Sequence, residues 1–330
     1  MNQNPSLFRR IKRKIRDKRR RLLAPIARAI IGLGLENLAA RVGLYTPRVV
    51  KCMDGGLASQ MFMLAQGYHY AVERNLPLYM DLDWYRRSGK DVRGVKNRPF
   101  HLFELFPEVK KRYENKVIRS SKFFQFLFSD DVPTKDGTTY LAPRSLYLKK
   151  YGGEFRCLVE HLNEMRELFR YNITLNEEEQ NLAEQIATTN SCALHIRKGD
   201  FVGTMHDVCT DSYYLNAITR MQELVPDCIF FVFSNDEAYA HNLANQTKGN
   251  FVFITNRSET TPAVDMWLMQ CCKHAIIPNS GFSLVPAILS YSTEKKVIMP
   301  SMWNKHTKVR HPNSVLPLPG WECLECGYSA

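Results

Sequence analysis

The run Cys192-Ala-Leu-His-Ile-Arg-Lys-Gly-Asp-Phe201 carries His195, Arg197, Lys198, Gly199 and Asp200 directly behind an apolar stretch, and that combination suits the holding of an anion. A strand that ends in two cations and a glycine turn gathers guanidinium, ammonium and backbone N–H groups at its carboxyl end, where ligands of open α/β sheets sit. Arg197 offers a planar fork of donors matched to phosphate, and Lys198 a point charge. His195 can hydrogen-bond a ligand, and Asp200 can fix the turn or orient Arg197. Asp54-Gly-Gly-Leu-Ala-Ser-Gln60 holds a second set. Gly55 and Gly56 permit a tight turn and close backbone approach before a helix, and Ser59 and Gln60 supply polar side chains there. A third set opens at Asp265 and ends in Asn279-Ser-Gly-Phe-Ser283, where hydroxyls and free N–H groups at a helix start make a phosphate cradle. Between the first and the third, Phe231-Val-Phe-Ser-Asn-Asp236 ends a strand on the carboxylate of Asp236.

Periodicity supplies the elements that must position these groups. Residues 47–53 and 76–82 read as strands flanking a helix over 60–74, the opening of a doubly wound sheet. Helices are predicted over 154–170 and 177–188. Residues 84–135 carry few clear periods beyond a short apolar pattern at 123–128. From residue 192 the alternation is regular. Strands at 192–197, 228–234, 250–254, 275–278 and 295–299 enclose helices at 212–224, 236–246, 262–273 and 282–290, which predicts a parallel sheet with crossover helices. The expected organisation is a tail over 1–45, an α/β domain over 46–180 and a second α/β domain over 181–330.

The chain has 330 residues and a formal charge of +12, unevenly spread. Residues 1–28 hold eleven Lys or Arg and one acid, so the remaining 302 residues carry only +2. Phe8, Ile11, Ile15, Leu22, Ile26 and Ile30 recur at three- or four-residue spacing through this cationic stretch, with a break around Lys18 and Arg19. A helix of that kind lies on an anionic lipid surface, each cation near the surface contributing on the order of 1 kcal/mol. The alternatives are a nucleic-acid arm or disorder; we expect the membrane surface, through residues 8–30, and no nucleic acid. No run of about 20 apolar residues spans a bilayer, and the start lacks the features of a secretory signal. Nine cysteines form no disulfide framework, and Cys323-Leu-Glu-Cys326 is a lone pair without a second at zinc-finger spacing.

These segments resemble the α-1,2-fucosyltransferase family. Asp54 to Phe62 is similar to its G-G-L-G-N-Q-M-F element, with Ala58 and Ser59 in place of Gly and Asn. His195 to Asp200 is similar to H-x-R-R-G-D, with Lys198 in place of the second Arg. Asp265 to Ser283 is similar to D-x-x-L-M-x-x-C-K-H-x-I-x-x-N-S-x-F-S, and Phe233 to Asp236 to F-S-D-D. The resemblance implies two Rossmann-like domains facing a cleft (the GT-B arrangement), with GDP-sugar on the 181–330 side and the acceptor on the 46–180 side. It implies transfer of L-fucose from GDP-fucose to a galactoside or related hydroxyl, with inversion, on an oligosaccharide or lipid-linked glycan of a surface polysaccharide. Arg197 would stabilise the departing β-phosphate, helped by Asp200. His195, Lys198, Gly199, Asp236, Asp265, Asn279, Ser280, Phe282 and Ser283 would surround the donor, and Gly55, Gly56, Ser59 and Gln60 the acceptor side of the cleft. No obligatory metal or cofactor is implied, since cations and helix termini take that role; Asp81-Leu-Asp83 is the one metal-like pattern. The expected location is the cytoplasmic face of a membrane. Rival readings are the same scaffold with another GDP-deoxyhexose such as colitose, and a non-catalytic GDP-sugar-binding protein.

Overall fold

A computed structural model describes residues 34–86, 98–120, 122–128, 145–149, 155–254, 262–305 and 318–326. The cationic stretch expected to meet a membrane, residues 8–30, lies outside the described residues. No helix among the described residues is long and apolar enough to cross a membrane. The fold is α/β with parallel sheets, as expected, and divides into two compact units. One comprises residues 1–54, 66–97 and 115–151, the other residues 55–65, 98–114 and 152–330. The division is interleaved, unlike a single cut near residue 180.

In the first unit, strands β1 (Val49–Cys52), β2 (Leu78–Asp81), β3 (Val117–Ile118) and β4 (Leu146–Leu148) form a parallel sheet in the order β3-β2-β1-β4. Helix α1 (Leu57–Arg74) gives its first half to the second unit and its second half to this one. Val50, Leu127, Phe128 and Tyr147 make a small core here. Lys51, wholly buried on β1, donates through Nζ to Gln66 Oε1 at 2.6 Å. The Asp81 carboxylate at the end of β2 accepts from the backbone N–H of Asp83 (3.0 Å) and Ser120 (3.3 Å) and from the Tyr147 hydroxyl (3.3 Å). Asp83 pairs with Arg119 at 3.4 Å. The D-x-D carboxylates are thus engaged by protein donors.

The second unit carries a sheet of six parallel strands, β5 (Ser191–Ile196), β6 (Ile229–Ser234), β7 (Asn250–Phe253), β8 (His274–Ile276), β9 (Val297–Pro300) and β10 (Trp321–Leu324). Their order across the sheet is β10-β9-β8-β5-β6-β7. Every residue of β5 is buried, the pattern of a strand covered on both faces by crossover helices. The helices of this unit include α2 (Glu177–Thr188), α3 (Asp211–Leu224), α4 (Glu237–Ala244), α5 (Pro262–Cys271) and α6 (Gly281–Leu289). Helix α2 begins with a capping box between Asn176 and Glu179. The large cluster around Tyr213, Tyr214, Met221, Phe230 and Ile276 is the core of this unit.

Two features depart from expectation. The helix over 154–170 is two helices, Phe155–Glu160 and Leu162–Leu168, because His161 adopts a non-helical backbone (φ −114°, ψ 34°). Strand β10 is the second, since periodicity ends at β9. Arg220 of α3 holds Glu322 of this strand through two hydrogen bonds at 2.9 and 3.0 Å. Cys326 just beyond is buried, with the Met302 N–H donating to its Sγ at 3.3 Å and Thr210 Oγ1 donating to its carbonyl at 2.7 Å.

Candidate active site

The carboxyl end of β5 delivers His195 and Arg197. His195 is 3% exposed, and its Nδ1 lies 2.8 Å from Ser283 Oγ in the first turn of α6. Burial, with the Arg197 charge behind it, pushes its pKa down to about 3, so the ring is neutral at any working pH. Arg197 turns back on Asp200. Its Nη2 donates to Oδ2 at 3.0 Å, and its Nε lies 2.9 Å from Oδ1, within ion-pair distance. The guanidinium also stands 5.4 Å over the Phe201 ring, and the Arg197 N–H donates to the Tyr214 hydroxyl at 3.3 Å. Asp200 therefore holds the Arg197 fork in place.

Lys198 goes elsewhere. Its ammonium donates to the Cys209 carbonyl at 2.9 Å, lies 3.4 Å from Asp207 and sits 5.0 Å over the Tyr239 ring. The charge is engaged in bracing residues 207–209. Gly199 has φ +36°, and a Cβ there would fall 2.5 Å from Asn235 Nδ2. That asparagine stitches the turn. It accepts from the Lys198 N–H at 3.0 Å and donates to Asp200 Oδ1 at 3.3 Å. Residue type alone does not mark Asn235 for this role, since an asparagine before a helix reads first as a turn residue.

The third set frames the same neighbourhood. Asn279 donates from its amide to the His206 carbonyl (2.9 Å) and the Trp303 carbonyl (2.8 Å), tying two loops together. Ser280 caps α6 by accepting from the Phe282 N–H at 3.3 Å. The Phe282 ring lies 5.7 Å from that of His195. Asp236 caps α4 by accepting from the Tyr239 N–H at 3.0 Å. Asp265 lies in the first turn of α5.

The glycine turn belongs to this unit as well. Gly55 has φ +75°, a conformation that a side chain would strain, with Ser59 Oγ 3.1 Å from where a Cβ would be. Gln60 is wholly buried. Its Nε2 donates to the carbonyls of Gly55 (3.2 Å) and Pro99 (3.0 Å), and its Oε1 accepts from the His101 N–H (2.9 Å). A Cβ on Gly56 would lie 3.2 Å from Arg98 Nη1, and one on Gly281 would lie 3.1 Å from the Phe62 ring and 3.7 Å from the Ala58 methyl. The first turns of α1 and α6 thus touch, and α6 in turn holds His195. Three segments far apart in sequence converge at the carboxyl edge of one sheet, where cations and amide groups can hold an anion. Nothing in the sequence singles out Arg98.

Residues 139–325 match the model of the family described as Glycosyl transferase family 11. The chain is 32% identical over 285 residues to an α-1,2-colitosyltransferase of Escherichia coli, covering 82% of this chain and 96% of that one. It is 26% identical over 298 residues to the O-antigen biosynthesis glycosyltransferase WbnK of Escherichia coli, covering 76% and 93%. Among solved structures, the fucosyltransferase NodZ from Bradyrhizobium is similar at a TM-score of 0.40 and 16% identity, covering 74% of this chain and 93% of that one. On these matches the chain belongs to glycosyl transferase family 11.

Proposed function

We propose that this enzyme moves a 6-deoxyhexose from its GDP-sugar to a glycan hydroxyl in an α-1,2 linkage, during assembly of a surface polysaccharide. L-fucose is the first donor sugar. The observation that carries the reading is the Arg197 fork, held by Asp200 at the end of β5 beside a neutral His195. When the anomeric C–O bond breaks, its electron pair passes to the β-phosphate oxygen, and a fixed guanidinium there stabilises the developing charge. The acceptor hydroxyl attacks the opposite face, which inverts the centre.

The hydroxyl proton goes to Asp54, to Asp200 or to the departing phosphate. Asp200 is committed to Arg197, whereas burial raises the pKa of Asp54, the direction that suits a general base. The donor is assigned to the 181–330 side and the acceptor to the 46–180 side of a GT-B arrangement, with no obligatory metal. The cationic tail would keep the enzyme at the cytoplasmic face of a membrane. A second reading, with colitose as the sugar, is favoured by the 32% identity to the colitosyltransferase.

The test is release of GDP from GDP-fucose and from GDP-colitose in EDTA, by the parent and by Arg197→Ala. Turnover of one donor, reduced about 100- to 1,000-fold by the substitution, supports the reading. No turnover of either donor, or equal turnover in both proteins, would sink it.

A further inference from the structure

We infer that Arg98 is the second phosphate-binding cation of this site. The inference rests on the GDP-sugar reading above and adds a residue to it. A nucleoside diphosphate leaving group gains negative charge on its β-phosphate as the sugar departs, and one guanidinium already shared with Asp200 is a thin complement for it. The neighbouring cation by sequence, Lys198, is turned away, its ammonium held by Asp207, the Cys209 carbonyl and the Tyr239 ring. Arg98 comes from a distant part of the chain. Its Nη1 packs over Gly56, 3.2 Å from where a Cβ would be, so the missing side chain makes room for the guanidinium.

The position is built. Gln60, wholly buried, grips the backbone just after Arg98 at the Pro99 carbonyl and the His101 N–H, while its other amide hydrogen bond ties them to the Gly55 carbonyl. The glycine turn, Gln60 and residues 98–101 therefore form one unit that fixes where Arg98 leaves the chain. Two residues on from Gly56, Ala58 faces Gly281 at the start of α6. Ser283 of the same turn holds His195, two residues before Arg197 at the strand end. This run of contacts links the seat of Arg98, through the starts of α1 and α6, to the strand that carries Arg197. It also gives the tandem glycines and Gln60 a shared purpose, the seating of an arginine. An arginine fork suits phosphate oxygens better than the ammonium of Lys198 does.

The measurement is affinity for GDP and for GMP, by calorimetry, in the parent, Arg98→Ala, Arg98→Lys and Gly56→Ala, each checked for a parental melting curve. Arg98→Ala should weaken GDP about 10- to 100-fold, in the range for a charged hydrogen bond, and leave GMP unchanged. Arg98→Lys should lose part of this, and Gly56→Ala, which presses a methyl on the guanidinium, should shift GDP in the same direction. If Arg98→Ala does not fold, the other two variants decide. GDP affinity equal to the parent's, or GDP and GMP weakened alike, would overturn the role of Arg98 alone. A parent that binds no GDP would overturn the donor reading and this one with it.

Discussion

Asn235 shows how little of a working turn is visible in residue types. Its amide spans the backbone of Lys198 and the carboxylate of Asp200, and Asp200 in turn holds Arg197. Removing the amide loosens the fork without touching the core. We expect Asn235→Ala to lower kcat about 10-fold or more, the cost of a hydrogen bond to a charged group, with the melting temperature nearly that of the parent. Steady-state kinetics beside a thermal scan check this; an unchanged kcat would mean that Arg197 keeps its position without the stitch. The placing of charge and glycine at the end of a buried strand is legible in sequence, because the apolar run of β5 stops at Ile196 and Arg197 to Asp200 follow it at once. That Lys198 folds back on Asp207 is not legible, nor that Asn279 and Gln60 donate to backbone carbonyls while Asp236 accepts from a backbone N–H. Those facts depend on which loops pass nearby.

At the scale of elements, the hydrogen bond between His195 and Ser283 joins the central strand β5 to helix α6, and it belongs to an uncharged ring. The ordinary histidine value is 6.5 and the folded value about 3. Between these pH values the unfolded chain binds a proton that the native chain refuses, so stability falls as the pH drops below 6.5. At pH 5 the cost is about 2 kcal/mol. Denaturant melts of the parent and His195→Gln at pH 7 and pH 5 should show a smaller acid loss in the variant; equal losses would mean that the ring accepts a proton in place. The strands of this sheet are legible from pattern because β5 and β6 are continuous, largely buried apolar runs. Edge strand β10 is not: Trp-Glu-Cys-Leu is short and half-polar, and its identity comes from pairing with β9 and from Arg220. The short helices Leu102–Leu105 and Pro107–Tyr113 are hidden for a similar reason, each too brief to show a period.

For the whole molecule, charge distribution is the property that sequence settles best, since it needs no fold. Eleven of the 45 cations lie in the first 28 residues. We expect the full chain to sediment with vesicles containing anionic lipid and to leave them as salt rises, and a chain lacking residues 1–40 to stay in solution. Unchanged partition after the deletion would show that attachment, if observed, lies elsewhere. The domain pattern is less legible. Periodicity reports elements one at a time, whereas the allocation of residues 55–65 and 98–114 to the second unit depends on what they pack against.

That interleaving has a consequence for synthesis. The first unit is complete in sequence once residue 151 has emerged, but residues 55–65 belong to a body whose last strand is β10, at Trp321–Leu324. At roughly 5–20 residues per second, Phe62 waits on the order of tens of seconds for its final surroundings. Phe155 and Gly281, which pack against Phe62 in the finished protein, leave the ribosome long after it. The side chains of Met61 to Leu64, buried in the finished protein, lack part of their cover until such partners have emerged. A chain that stops before Gly281 would leave Phe62 without one of the neighbours it packs against in the finished protein.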